Sequence, residues 1–303
     1  MKKIMGAIGV VLLIISCETV GTGIDAASKA GFIDAQAADA LGRMNEAISD
    51  AAQDITPSEE YYIGRAVGAN ILSNYTLYTE DPELTAYVNK ILGVLVINSP
   101  RPTIYNGYHA AILDTDEING FSTSGGHIFI TRGLLDVADS EDALAAVLAH
   151  ELAHILLQHS VKSIKNSRFT SAIQQVAGIA AEAAGLDELT RIFDESIREA
   201  VSNALDKGYS REQEYEADEA AVSLLAAAGY TPSSIVGMLE SIKANAAQSG
   251  GKAAYPSVGS VLQSTHPSPD DRLQEIKRKL VAYQGFTDNT EARKPRFDAT
   301  LKK

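Results

Sequence analysis

His150-Glu151-Leu152-Ala153-His154 is the stretch that most constrains the fold and chemistry of this 303-residue chain. The segment around it has a helical pattern, and residues four apart share one face of a helix, so both imidazoles project to the same side. Two imidazoles at this spacing can occupy two corners of a zinc tetrahedron, and Glu151 can act as general base toward the attacking water. The alternative is an ordinary helix with two surface histidines. A chance match is rare in a chain with only 6 histidines.

A catalytic zinc site needs a third protein ligand, and residues 211–229 offer five acids. At 100° per residue, Glu214 and Asp218 fall on the apolar face of a helix, whereas Glu212, Glu216, Glu219 and Ser223 fall on the solvated face. Buried acids four apart are costly unless they are paired or bind a metal. Glu214 is therefore the better third ligand, and Asp218 the better partner behind a ligand imidazole. The alternative is an acid pair at the rim of a packed helix.

Composition limits the classes of function. Hydrophobic residues make up 45% of the chain, enough for a sizeable core, and the length suits one large domain or two small ones. The net charge of −13 argues against nucleic-acid binding, which needs a basic surface.

The N-terminus has the form of an export signal. Met1-Lys2-Lys3 precedes a 12-residue apolar run, 4–15, which is too short to span a bilayer. Cys17, the only cysteine, follows Ser16 in a pattern that resembles a bacterial lipoprotein signal, in which this cysteine becomes the lipidated N-terminus. The alternative is a non-lipidated signal peptide with an unrelated cysteine. No later segment is expected to span a membrane, since the most apolar one, 172–186, is short and interrupted by polar residues.

Helix is expected to outweigh strand, with one small sheet. Capping residues, Pro and Gly predict helices at 57–74 and 81–96, from Asp139-Ser140 through the histidine pair, over 161–204, from Ser210 to Gly229, and from Ser268 onward. Apolar runs predict strands at 108–113 and 127–131. A Gly/Ser-rich patch covers 249–260, and the tail from Gly285 is expected to be polar and mobile.

Four motifs follow one another along residues 56–283, and together they resemble a known family. They are Asn119-Gly120-Phe121 followed by Gly125-Gly126-His127-Ile128-Phe129-Ile130-Thr131, the His150–His154 motif, Glu214-x-x-x-Asp218, and Thr265-His266-Pro267 with Arg272 beyond it. They resemble peptidase family M48, the zinc metalloendopeptidases of the HtpX, Oma and CAAX prenyl protease type. The lipoprotein-like start is most similar to the LoiP and YcaL type.

The resemblance implies an α+β, predominantly helical zincin fold of the gluzincin class, with one small sheet whose edge strand lines the active site. It assigns one zinc ion to His150, His154 and Glu214, makes Glu151 the base, and places Asp218 behind a ligand histidine. It also places His266 and Arg272 near the zinc. Gly126, His127, Ile128 and Phe129 would lie on the edge strand and bind an extended substrate. One departure is Gly120, where many relatives carry Ala.

The other histidines have separate interpretations. His159 lies nine residues after His150, or 180° around a continuous helix, so it is expected to point away from the zinc toward the surface. His109 is interpreted as structural, and His127 touches substrate only if the strand register points it there. For His266 three roles stay open: a hydrogen bond to the developing oxyanion, a fourth zinc ligand that keeps the enzyme latent, or a structural loop residue.

These patterns predict a signal peptide at 1–16, a lipid-anchored tether and helix at 17–55, a peptidase domain at 56–283 and a polar tail at 284–303. The expected function is zinc-dependent hydrolysis of peptide bonds in envelope or outer-membrane proteins, in envelope quality control. The expected location is the periplasmic face of a bacterial membrane, the outer rather than the inner one. The alternatives are a latent or vestigial peptidase that acts as a chaperone or assembly factor, and a structural lipoprotein that binds no zinc.

Overall fold

Helices dominate the computed structural model, which describes residues 17–31, 54–165, 208–248 and 269–301, with a few isolated positions between 35 and 45. The helices are α1 (Cys17–Lys29), α2 (Pro57–Asn74), α3 (Pro82–Ile97), α4 (Arg132–Val137), α5 (Glu141–Leu156), α6 (Arg211–Ala228), α7 (Ser234–Gln248), α8 (Pro269–Lys279) and α9 (Thr290–Leu301). A short 3-10 helix, Leu280–Tyr283, follows α8.

Several sequence predictions fall outside the described residues. These are the signal segment 1–16, most of the helical region 161–204, the Gly/Ser-rich patch and the Thr265-His266-Pro267 motif. The chain divides into two compact units, one of Met1–Ile55 with Ile164–Ser196, the other of Thr56–Ser163 with Ile197–Lys303. The described part of the first unit is chiefly α1. The second unit contains the described motifs: residues 119–131, His150–His154, Glu214-x-x-x-Asp218 and Arg272.

Local capping explains where the site helices begin and end. The Ser140 side chain accepts the Ala143 amide and starts α5. Ser210 and Gln213 form a capping box at the start of α6, and Gly229 ends that helix with φ of 79°. A residue without Cβ adopts this left-handed conformation at little cost. The predicted boundaries of α6 are confirmed, as is the predicted start of α5.

One sheet lies beside these helices, with β1 (His109–Leu113), β2 (Gly120–Ser122) and β3 (His127–Thr131) in the order β1-β3-β2. β1 runs parallel to β3, and β2 runs antiparallel to it. The predicted strands at 108–113 and 127–131 are confirmed. The prediction that β3 is the edge strand is wrong, because both of its sides are already hydrogen-bonded. Among the strands that the structure describes, β2 is at one edge of this sheet.

The β2–β3 turn depends on two close approaches of backbone. Gly126 has φ of 91°, and a Cβ there would lie 2.6 Å from the Gly107 carbonyl oxygen. A Cβ on Gly64 of α2 would lie 2.0 Å from the Gly125 nitrogen. Side chains at either position would push these segments apart. The glycines therefore have a structural role, because they allow the backbone segments to approach closely.

Helix α5 is central to the hydrophobic core. Leu144, Leu148 and Leu152 are fully buried on it, and α3, α6, α7 and the sheet pack around it. The helical run 141–165 is long and apolar enough to cross a membrane, but 72% of its apolar window is buried within the protein. That burial is typical of a core helix.

The C-terminal residues differ from the predicted mobile tail. They form α9, whose Phe297 is 1% exposed. Arg293 and Arg296 pair with Asp142 and Glu141 at the start of α5. The prediction was wrong because the composition of the tail is polar overall. It did not reveal that one aromatic residue would be buried or that two arginines would pair with acids distant in sequence.

Candidate metal centre

Helices α5 and α6 bring together the three residues expected to hold a metal. His150 Nε2 lies 3.1 Å from His154 Nε2. The Glu214 carboxylate reaches both rings, with one oxygen 3.5 Å from His150 Nε2 and the other 3.4 Å from His154 Nε2. All three residues are buried, and one ligand atom from each lies within 4.8 Å of the others. Among the described residues this is the one cluster of its kind.

The spacing of these atoms fits one tetrahedral ion. Zinc–nitrogen bonds of about 2.0–2.1 Å separate two tetrahedral ligand atoms by about 3.3 Å. The separations of 3.1, 3.4 and 3.5 Å agree with that value. Two imidazoles and one carboxylate also form the donor set of one class of catalytic zinc site. The chemistry of the donors and their geometry therefore both suit zinc.

Glu151 faces the edge strand of the sheet. Its side chain is buried, and a Cβ placed on Gly120 would lie 3.0 Å from Glu151 Oε1. The carboxylate thus lies against β2, on the residue that directly follows His150 in α5. This position lets it exchange a proton with a molecule held beside the edge strand.

Asp218 and Arg272 hold the cluster from behind. Asp218 Oδ1 lies 3.0 Å from His150 Nδ1, so this carboxylate accepts the ring proton on the side away from Nε2. Arg272 donates to both Asp218 oxygens, at 2.8 and 2.7 Å, and its third nitrogen lies 3.1 Å from Glu214 Oε2. These contacts put Asp218 beside the His150 ring and Arg272 beside Glu214.

Burial and neighbouring charges act in opposite directions on the pKa values of His150 and Asp218. Burial and the Arg272 charge lower the pKa of His150, but hydrogen bonds to Asp218 and Glu214 outweigh them and raise it to about 9. Burial raises the pKa of Asp218, yet Arg272 and His150 bring it down to about 2. A metal ion at His150 Nε2 would compete with a proton for that lone pair, because only the neutral imidazole binds metal.

His159 is the clearest error of the sequence interpretation. It is fully buried, with Nδ1 2.8 Å from His154 Nδ1 and Nε2 3.1 Å from Glu216 Oε2. Helix α5 ends at Leu156, and Gln158 has φ of 55°, so the chain turns before His159. The 180° extrapolation assumed a continuous helix. Glu216 is half-exposed as predicted, but it also contacts this histidine.

Tyr209 was missed altogether. Its ring stacks on His154 with a centroid distance of 3.9 Å and an interplanar angle of 15°, and its Oη lies 2.9 Å from Ser160 Oγ. Burial raises its pKa, so the phenol stays neutral. Tyr209 directly precedes the Ser210 cap, where an apolar residue often packs on the fourth helical residue, here Glu214. This packing preference would have predicted that Tyr209 lies beside Glu214 and therefore beside the site.

The predicted substrate residues lie on or next to β3, whose two sides are already paired with β1 and β2. Ile128 and Phe129 are buried in the core, and Gly126 forms the turn. His127 is half-buried with Nδ1 3.2 Å from Thr123 Oγ1, and burial lowers its pKa. His109 is exposed and bonds the Asn106 carbonyl. Within the described ranges, no contact joins His109 or His127 to the cluster of His150, His154 and Glu214. His266 lies outside those ranges.

Comparison with known proteins agrees with this geometry. The model of peptidase family M48 matches residues 80–280. The chain is similar to the beta-barrel assembly-enhancing protease of Escherichia coli K12, 25% identical over 227 residues that cover 73% of this chain and 42% of that protein. It is similar to the mitochondrial metalloendopeptidase OMA1 of Schizosaccharomyces pombe, 29% identical over 200 residues, covering 66% and 54%. It is also similar to the metalloprotease YcaL of Escherichia coli K12, 28% identical over 168 residues, covering 55% and 60%. The chain thus spans about two fifths of the length of the assembly-enhancing proteases.

Proposed function

The chain belongs to peptidase family M48, and we propose that it is a zinc-dependent endopeptidase that cleaves polypeptides. The observation that carries the proposal is the buried trio of His150, His154 and Glu214 with Glu151 beside it. Asp218 and Arg272 already pair with His150 and Glu214 in this cluster. A metal ion bound by the two imidazoles and the Glu214 carboxylate would give Glu151 a reaction to catalyse.

Each residue of the site then has a chemical role. Zinc held by the trio would supply Lewis-acid polarisation of the scissile carbonyl and would lower the pKa of the attacking water. Glu151 takes the proton from that water and passes it to the leaving amine. Asp218 keeps the His150 ring in the tautomer that leaves Nε2 free to bind. Arg272 holds the Glu214 and Asp218 carboxylates in place.

We place the substrate on β2 instead of β3. The Thr131 amide bonds the Asn119 carbonyl at 3.1 Å, and the Thr123 amide bonds the His127 carbonyl at 2.9 Å. Since antiparallel strands alternate the direction of their polar groups, the Gly120 carbonyl and the Ser122 backbone groups face away from β3. An extended peptide could pair with them next to Glu151.

The location and the substrate class extend the proposal. The lysines and apolar run at 1–15 support export, and the Ser16-Cys17 pair supports lipid anchoring of the mature chain to a bacterial membrane, the outer one in our proposal. Relatives named as beta-barrel assembly-enhancing proteases support outer-membrane proteins as substrates and a role in envelope quality control. We also propose the same division of the sequence into a signal peptide at 1–16, a tether and helix at 17–55, a peptidase domain at 56–283 and a C-terminal segment at 284–303. Helix α9 lies in the last of these.

A direct test combines metal analysis with a cleavage assay on the full chain. We expect one zinc per chain, hydrolysis of an unfolded substrate such as casein, loss of hydrolysis with a chelator and recovery with added zinc. A chain that binds zinc and suppresses aggregation without cleaving any envelope protein would instead be the latent chaperone. A chain that binds no zinc would be a structural lipoprotein.

A further inference from the structure

A second line of contacts runs from His154, one of the three candidate metal ligands, through His159 to Glu216. His154 Nδ1 lies 2.8 Å from His159 Nδ1, and His159 Nε2 lies 3.1 Å from Glu216 Oε2. His154 and His159 are almost completely buried, whereas the Glu216 side chain is 54% exposed. The contacts thus connect a candidate metal ligand to the protein surface through one intervening imidazole.

If His154 binds metal, only one assignment of the ring protons on His154 and His159 satisfies these contacts. His154 Nε2 points at His150 and Glu214, so it must keep its lone pair for the ion. The ring proton of neutral His154 is then on Nδ1, which donates. His159 Nδ1 must accept, so its own proton is on Nε2, which donates to the Glu216 carboxylate.

We propose that His159 is a positioning residue for His154, and that Glu216 fixes the tautomer in which His159 can accept. This inference rests on the proposed zinc function. The two histidine ligands are then held differently: His150 by the charged Asp218, and His154 by a neutral imidazole that a half-exposed carboxylate orients. Because solvent screens Glu216, its contribution is smaller than that of His159.

Zinc affinity of the full chain, measured by competition with a chromogenic chelator, tests this role. His159→Leu keeps the side-chain bulk but removes the acceptor, and the loss expected for such a partner is about 10–100-fold in affinity. His159→Asn places an oxygen near the position of Nδ1, so it should recover most of that affinity. Glu216→Ala should weaken binding by a smaller factor. Glu212→Ala, an exposed acid on the same helix, is the matched control and should bind like wild type.

Circular dichroism of the metal-free variants separates positioning from folding. If His159→Leu does not fold, His159→Asn should still bind zinc more tightly than His159→Gln, whose oxygen lies one bond too far.

Wild-type affinity in folded His159→Leu, equal weakening in the Leu and Asn variants, or equal affinity in the Asn and Gln variants would overturn the inference. In each case wild type would still bind zinc and cleave substrate. A wild-type chain that binds no zinc would overturn the proposed function and this inference together.

Discussion

Arg272 lies 3.1 Å from Glu214, and this contact fixes the direction of one carboxylate oxygen of the proposed third metal ligand. The same guanidinium forms a two-pronged pair with Asp218. Arg272 is 6% exposed, and both carboxylates are buried more deeply still. One buried cation from α8 thus orders two carboxylates of α6.

Arg272→Met should destabilise the fold and weaken zinc binding. Removing one partner of a buried ion pair leaves the other charge uncompensated, which costs about 3–5 kcal/mol of unfolding free energy. Urea denaturation of the metal-free protein measures this. Lys277→Met on the exposed side of the same helix is the control and should change little, because its pair with Glu240 is exposed to solvent. Equal stability of the two variants would show that Arg272 does not hold the carboxylates.

Gly120 variants should separate metal binding from catalysis. Gly120→Ala brings a Cβ to 3.0 Å from Glu151 Oε1, and the end of a glutamate side chain can shift by a few tenths of an ångström. We expect activity within a few-fold of wild type. Gly120→Val adds bulk that displaces the carboxylate further, and a misplacement of about 1 Å can cost about 10²-fold in rate. Zinc content should stay at the wild-type level in both variants, as metal analysis beside casein kinetics would show. Full activity in Gly120→Val would place the reaction away from β2.

The start of α5 should make stability depend on pH. Burial raises the pKa of Glu141, but Arg296 and two tyrosines outweigh it, so the pKa falls below its ordinary value of 4.5. The folded protein therefore binds protons less readily here than the unfolded chain. This stabilisation is complete above about pH 4.5 and is lost as the pH falls through the lowered pKa.

Arg296→Leu should lower the unfolding free energy at pH 7, with a smaller difference from wild type at pH 3. Thermal or urea unfolding at the two pH values measures this. Lys294→Leu, whose partner Asp298 lies on the same helix, is the control. A pH-independent effect of Arg296→Leu would mean that packing of α9, and not its charge, secures α5.

Much of the site could be predicted from sequence because its geometry is local. The spacing of His150 and His154, and the helical phase that buries Glu214 and Asp218, depend only on a regular helix. The capping residues that start these helices act over three or four positions. Glu214 and Asp218 are indeed 0% and 1% exposed, whereas Glu212 and Glu219 are exposed.

The rest depends on contacts between distant segments. His159 became a partner of His154 only because α5 stops at Leu156. β2 is three residues long and too short for a periodic pattern to reveal. The order β1-β3-β2 puts the strand with the stronger β pattern in the middle of the sheet and the short one at the edge. The strand order cannot be predicted from any one segment, because it depends on how the three strands pair with one another.

Cys17→Ser should release the protein from the membrane fraction or block processing of the signal. One acyl chain binds a membrane only marginally, so stable anchoring depends on the multiple acylation that a lipoprotein cysteine receives. Fractionation of cells, followed by carbonate or detergent extraction, measures the change. Cys17→Ala should behave in the same way. A Cys17→Ser protein bound as firmly as wild type would mean that another segment holds it.

The most direct test of the central claim is the activity of zinc-loaded Glu151→Gln. Glutamine preserves the size of the side chain but cannot take a proton, and Glu151 is not one of the three proposed metal ligands. We predict wild-type zinc content and a loss of hydrolysis of at least about 10²–10⁴-fold, the usual contribution of general acid–base catalysis. Normal turnover by a fully zinc-loaded Glu151→Gln protein would contradict the account.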